Sequence, residues 1–242
     1  MVQKRLLWSP TPCMEKKLYL KPIDLLHYNT VNKLLKESLL KLMRAKEFEA
    51  CRLVGGTSLS LQIGHRESVD IDLFSDLTYG SIDFNVIDSY LDKEFPYVDD
   101  IRELFPGMGK SYLIGKDKEN AIKLDVYHTD DFIRPLKIED GIRMATIEEI
   151  IAMKLDVVQR EGRKKDFWDL HELLSEHGVG KMLELHERRY PYSHDRNLIL
   201  ENFTNFDRAD EDFDPICLRG KYWEFIKEDI KEAIEALGNE NA

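Results

Sequence analysis

The chain is poor in cysteine: there are three in 242 residues, Cys13, Cys51 and Cys217, far apart and in no Cys-x-x-Cys pair. That spacing excludes a disulfide framework and a cysteine zinc site, and it points to a reducing, cytoplasmic compartment. No apolar run approaches the ~18 residues of a membrane span, and Leu6, Leu7 and Trp8 are too short a stretch for the apolar region of a signal peptide. An excess of basic charge is also missing. Against 35 Lys and Arg stand 46 Asp and Glu, a formal net charge of −11, which argues against a nonspecific nucleic-acid coat. What is there, 43% hydrophobic and 33% charged residues, is the composition of a soluble globular protein with enough chain for one large core or two modest ones.

The acidity is unevenly placed. Residues 1–50 carry +5, 51–150 carry −9, 151–200 are neutral and 201–242 carry −7, so a local basic groove is compatible with the acidic total. Ser9-Pro10-Thr11-Pro12 marks residues 1–13 as a disordered leader, with Met14 as an alternative start. Beyond it, Leu34, Leu35, Leu39, Leu40, Leu42 and Met43 have the spacing of a helix with one buried face. Arg52-Leu53-Val54 reads as a strand that runs into the tight turn Gly55-Gly56, after which residues 59–64 have room for one or two helical turns.

Two further strands follow from alternation. In Val69-Asp70-Ile71-Asp72-Leu73 both carboxylates fall on one face, and Ile122-Lys123-Leu124-Asp125-Val126-Tyr127 sets Asp125 opposite its apolar residues. From residue 141 the pattern turns helical, with Thr146 and Glu149 as a capping box ahead of Ile147, Ile150, Ile151, Leu155 and Val158. A second helix starts near Asp166 and closes near Gly178 and Gly180. A third spans residues 222–237, with Phe225, Ile226, Ile230, Ala233, Ile234 and Leu237 inward. The chain thus divides into a unit over residues 14–140 and a helical unit over 141–242.

Three carboxylates on two strand faces are costly on their own: two like charges ~4 Å apart repel by about 4 kcal/mol at an effective dielectric near 20. A divalent cation removes that cost, and Mg²⁺, which takes oxygen ligands and is shared with substrate phosphates, suits Asp70, Asp72 and Asp125. Gly55 and Gly56 let a backbone approach a phosphate, free amides at the following helix start bind its oxygens, and Thr57 and Ser58 offer hydroxyls. Taken singly, a Gly-Gly turn is a turn and Asp-x-Asp a solvated sheet face. Together they form one strand-turn-helix-strand unit with phosphate and metal chemistry.

Lys154 lies in the apolar stripe of its own helix, so it either snorkels to the surface or points into a polar cleft. Arg160, Arg163, Lys164 and Lys165 form a basic cluster, suited to a triphosphate or an RNA backbone, or else a solvated loop. Asp166 has the position of an N-cap, and Asp166 and Asp169 alternatively orient Lys154. His65 and Arg66 either orient the phosphate cradle and contact substrate or are structural. His128, His171 and His177 share no metal spacing and read as structural.

With these residues assembled, the sequence resembles the AbiEii/AbiGii toxin family of nucleotidyltransferases, in the DNA polymerase beta-like superfamily. The resemblance rests on Leu53-Val54-Gly55-Gly56-Thr57-Ser58-Leu59, on Gly64-His65-Arg66-Glu67-Ser68-Val69-Asp70-Ile71-Asp72-Leu73-Phe74, and on Met153-Lys154-Leu155 with Lys164-Lys165-Asp166-Phe167-Trp168-Asp169-Leu170. It covers roughly residues 17–178 and implies an α+β fold, a polymerase beta-like mixed sheet with helices followed by a helical C-terminal domain, with the nucleotide between them. It further implies that Gly56 and Thr57 hold the triphosphate, that Asp70 and Asp72 bind Mg²⁺, and that Lys154 and Asp166 or Asp169 match the family's required lysine and helical acid. Asp125 is the candidate third acid.

The expected activity is transfer of NMP from an NTP to an acceptor, an RNA such as the 3′ end of tRNA, by a toxin paired with a cognate antitoxin. The rival readings are a nucleotide- or antitoxin-binding module without catalysis, and transfer to a protein or a small molecule.

Overall fold

The computed structural model describes residues 26–101 and 107–240; the leader expected over 1–13 lies outside them. Seven strands form one mixed sheet: β1 (Arg52–Leu53), β2 (Asp70–Ser75), β3 (Tyr97–Ile101), β4 (Gly109–Gly115), β5 (Ala121–His128), β6 (Lys137–Glu139) and β7 (Ile142–Met144), in the order β3-β4-β5-β2-β1-β7-β6. β2 pairs parallel with β5 and antiparallel with β1, and β1 pairs parallel with β7. The register of β2 on β5 sets Asp72 directly beside Asp125 and Asp70 beside Lys123.

The two faces of the sheet divide by alternation, as side chains two apart must. Ile71 and Leu73 of β2, Leu124 and Val126 of β5 and Tyr112 and Ile114 of β4 are buried in one core with helices α1 (Lys33–Arg44) and α3 (Phe84–Glu94). The α1 stripe is the one expected, with Leu35, Leu39, Leu42 and Met43 buried and Asn32 capping it by accepting from Leu35 N at 2.8 Å. Asp70 and Asp72 therefore face the opposite side, toward the helices α2 (Gly55–Ile63), α4 (Ile147–Gln159) and α5 (Lys164–Arg189).

A second core, built around Phe167, Trp168, Ile150, Ile151 and Leu155, joins α4 and α5 to α6 (Arg196–Thr204), the short α7 (Asp207–Asp210) and α8 (Trp223–Glu240). Four features differ from the sequence reading. The segment after residue 141 is first a strand, β7, which adds to the sheet edge beside β1, and helix begins only at Ile147. α2 starts at Gly55 itself rather than near residue 59. α5 breaks at Gly178 as expected (φ 52°, ψ 156°), but a further helical segment follows directly to Arg189, because Val179, Met182, Leu183 and Leu185 have core to bury against. In α8 the inward face is Trp223, Ile226, Ile230, Ala233, Ile234 and Leu237, and only Phe225 of those expected inward turns out, 61% exposed.

The capping expectations are partly redistributed. Thr146 does cap α4, accepting from Glu149 N at 3.4 Å, but the Glu149 carboxylate turns away to pair with the buried Arg189. On α5 the cap residue is Arg163, and Asp166 sits at the third helical position with its Oδ2 accepting from Arg163 N at 3.2 Å.

Candidate active site

The cleft between the sheet and α4 and α5 has a volume of about 460 Å³ and brings together Gly55, Gly56, Arg66, Asp70, Asp72, Lys154, Arg163, Lys165 and Asp166. Thr57, Ser58, His65, Asp125 and Asp169, also named from the sequence, do not line it. The division follows from the local backbone. Because α2 begins at Gly55, its first two residues face the cleft and the next two turn into the protein.

Gly55 has a left-handed φ of 67°, and a Cβ there would lie 2.6 Å from Asp72 Oδ2. A Cβ on Gly56 would collide with the Arg66 guanidinium. Only glycines admit this approach of helix start to carboxylate and arginine. The N-cap, Val54, offers no side-chain acceptor, so the first amides of α2 are left for a ligand, and a helix N-terminus favours an anion.

Thr57 and Ser58 are fully buried. Thr57 Oγ1 bonds to Ser68 Oγ at 2.7 Å and donates to the Asp70 carbonyl, tying α2 to the start of β2. Ser58 Oγ accepts from Gln62 at 3.2 Å. Their hydroxyls hold the loop in place rather than facing the cleft.

Asp169 is a buried hub. It accepts from His65 Nε2 at 2.7 Å, from Arg66 Nε at 2.6 Å and Nη2 at 2.8 Å, and it pairs with Lys154 Nζ at 2.8 Å. Burial alone would raise its pKa, but Arg66 and Lys154, with the bonds from His65 and Arg66, hold the carboxyl well below the usual range. Lys154 is 7% exposed and also pairs with Asp166 Oδ1 at 2.5 Å. Burial works to lower its pKa, but Asp166 and Asp169 outweigh it and raise it, so this lysine stays protonated and pointed at the cleft. Of the two positions open to Lys154, surface or cleft, it takes the cleft.

Asp70 and Asp72 lie two apart on β2. Asp72 has its pKa raised to about 6, first by burial and then by the neighbouring charges of Asp125 and Asp70. Lys165 Nζ lies 3.7 Å from Asp70 Oδ2, and burial and the neighbouring Arg163 and Lys154 lower its pKa. A cation beside Asp72 would offset the repulsion from Asp125 and Asp70, and two oxygen donors open to a phosphate-sized cleft suit Mg²⁺. Asp125 differs: Ser111 Oγ donates to its Oδ1 and Lys123 Nζ to its Oδ2, both at 2.6 Å. Accordingly, among the described residues no three acidic, His or Cys side chains converge as a metal cluster.

Sequence reasoning missed the far wall of the cleft, Met153, Asp156 and Val157 of α4 and Tyr190 and Ser193 after α5, whereas Arg160 at the end of α4 belongs to the basic cluster expected there. The α4 residues recur at helical spacing with Lys154, a signal that was available; the two after α5 depend on its length. It also missed a strap. Glu67 N donates to Ile216 O and Leu218 N to His65 O, each at 2.9 Å, making Arg66 and Cys217 antiparallel bridge partners. Lys164, rather than facing phosphate, anchors that strap through Asp212 O at 2.6 Å and Asp214 at 3.0 Å. Arg160 pairs with Asp156 at the cleft wall. His128 accepts from Gly80 N at 3.2 Å and also lines the cleft, while His171 pairs with Asp229 at 2.8 Å outside its lining.

Comparison with known proteins places residues 38–239 in a match to a family described as the nucleotidyl transferase AbiEii toxin of a type IV toxin-antitoxin system. An uncharacterised protein of Aquifex aeolicus is 30% identical over 195 residues, 76% of this chain and 87% of its own. Among solved structures, JHP933 of Helicobacter pylori superposes with a TM-score of 0.52 at 18% identity, over 84% of this chain and 90% of the other. The nucleotidyltransferase toxin MenT4 of Mycobacterium tuberculosis gives 0.50 at 16%, over 80% and 82%. At these identities the structural likeness bears on the fold alone.

Proposed function

The chain belongs to the AbiEii nucleotidyltransferase toxin family, and from that premise we propose that it moves NMP from an NTP to the 3′-hydroxyl of an RNA, tRNA being the leading acceptor, with Asp70 and Asp72 holding Mg²⁺. The observation that supports this reading best is the convergence, in one cleft, of two strand carboxylates, an uncapped Gly-Gly helix start and a buried, protonated lysine. When bound, a divalent cation supplies charge neutralisation on the phosphates.

The other work falls to the chain. Amides of Gly55 and Gly56 and the side chains of Arg66, Arg163 and Lys165 hold the triphosphate oxygens, and Lys154 offsets charge that develops on them. Asp166 and Asp169 keep Lys154 charged and aimed, and His65 holds Asp169. Asp125, once freed from Lys123, is the carboxylate that positions the attacking hydroxyl and accepts its proton. A cognate antitoxin, encoded beside the toxin, follows from the family.

The test is incubation with Mg²⁺, each labelled NTP in turn and total tRNA, comparing the wild-type chain with Asp70→Ala. Incorporation that the substitution abolishes supports the reading. Absence of incorporation into RNA refutes the acceptor, and incorporation that survives Asp70→Ala refutes the site.

A further inference from the structure

Beside the catalytic cleft lies a second groove, of about 710 Å³, which the mechanism above leaves unused. Thr129, Asp130, Tyr190 and Ser193 form a common wall, so ligands in the two spaces would abut. The groove is built by the loops that follow β2, β5 and α5. Its walls include two outward aromatic rings, Tyr79 at 63% exposure and Tyr192 at 103%. Tyr79 leans on His128 with ring centroids 5.5 Å apart, whereas Tyr192 meets no other ring among the described residues. Exposed rings next to a nucleotide cleft are the stacking platforms that single-stranded nucleic acids use.

The charges of the groove narrow the choice. Asp76 faces Arg52 at 3.7 Å, and Arg189 is committed to the buried Glu149 and to the carbonyls of Asp130 and Asp131. That leaves the exposed Asp130 and Asp131 carboxylates against Arg188. A run of phosphodiesters would be repelled there. A neutral base would not, and an exocyclic amino group would donate to these oxygens. The 3′-terminal nucleoside is the one unit of an RNA strand whose 3′ side carries no phosphate.

From this we infer that the groove binds the terminal nucleoside of the acceptor, an amino-bearing base (adenine, cytosine or guanine) stacked on Tyr192 and Tyr79, with Asp130 and Asp131 reading its edge. The inference rests on the RNA-acceptor reading. It explains why the nucleotide cleft opens sideways into a space with a polar edge and aromatic walls.

The test uses the full chain with Mg²⁺, an NTP and a 5′-labelled RNA bearing an unpaired 3′ end. Tyr192→Ala, at a fully exposed position, is expected to raise KM for the RNA roughly tenfold while KM for the NTP stays unchanged. The same RNA ending in 5-iodocytidine should, on irradiation, crosslink to Tyr192 or Tyr79, as mapped by mass spectrometry. If the RNA is extended but crosslinks elsewhere, for instance to Tyr127 of the sheet, or if Tyr192→Ala leaves its KM unchanged, the groove assignment falls and the RNA acceptor stands. If the wild-type chain extends no RNA, both fall.

Discussion

Replacing Asp72 with asparagine is expected to abolish transfer and, at the same time, to stabilise the metal-free protein. The Asp72 carboxyl is raised from 3.8 to about 6 in the fold. At 1.36 kcal/mol per pKa unit, a rise of about two units corresponds to roughly 3 kcal/mol of destabilisation by the ionised form. Asp72 keeps partial solvent access, so screening reduces this to about 1–2 kcal/mol. The sign is set by linkage. The unfolded carboxyl ionises near 3.8 and the folded one only near 6, so stability falls as pH rises through that window and the full penalty applies above it. Urea unfolding in EDTA at pH 7.5 should then show Asp72→Asn ahead of the wild type, and at pH 4.5 the gain should shrink to about a third. For a chain of this size the gain at pH 7.5 is a rise in Tm of about 2–8 °C. Added Mg²⁺ should narrow the gap, because it binds the folded wild type preferentially. A variant no more stable than wild type at pH 7.5, or a gain of equal size at pH 4.5, refutes the picture of a buried Asp72 repelled by Asp125 and Asp70.

Asp169→Asn takes the opposite sign: with the hub uncharged, Arg66 and Lys154 lose a shared buried partner, and thermal unfolding should report a loss of about 3–5 kcal/mol. A loss under about 1 kcal/mol contradicts the hub. Gly56→Ala places a Cβ in the Arg66 guanidinium and should weaken NTP binding about tenfold by titration calorimetry, with circular dichroism unchanged. Lys154→Met, matched in length, should lower kcat about a hundredfold or more in single-turnover assays, since the charge facing the phosphates is gone. Restored activity of that variant on added alkylamine would support the role; wild-type kcat would exclude it.

What was legible in the sequence was local. Alternation in residues 69–73 and 122–127 exposes β2 and β5 because each has one face against a core, and the glycines, acids and Lys154 stand out against that regularity. The three-residue strands β6 and β7 carry too little pattern to be read, and β7 is defined by its pairing with β1 on one side and β6 on the other. β3 and β4 went unassigned because their pairing partners, not their own periodicity, define them. Phe225 was misplaced since the same stripe extends one turn back through Trp223, three residues before Ile226, and leaves Phe225 on the outer side. The His65–Asp169 contact spans residues 104 apart, and nothing in either neighbourhood encodes the other. Asp125 was named as a metal acid from its strand position, while its engagement with Lys123 and Ser111 emerges only from side-chain packing.

The strap across His65, Arg66 and Glu67 has a consequence for timing. Its anchors, Ile216, Cys217 and Leu218, are made after every residue of the cleft: roughly 50 residues separate Asp169 from them, about 3–10 s of synthesis at ordinary elongation rates. Until then the segment that carries Arg66 lacks its neighbouring backbone, and Lys164 at the head of α5 lacks Asp212 and Asp214. A ribosome translating this message therefore carries an unfinished enzyme whose Arg66 segment still lacks its backbone partner. The cell meets the finished catalyst only when synthesis has passed the strap.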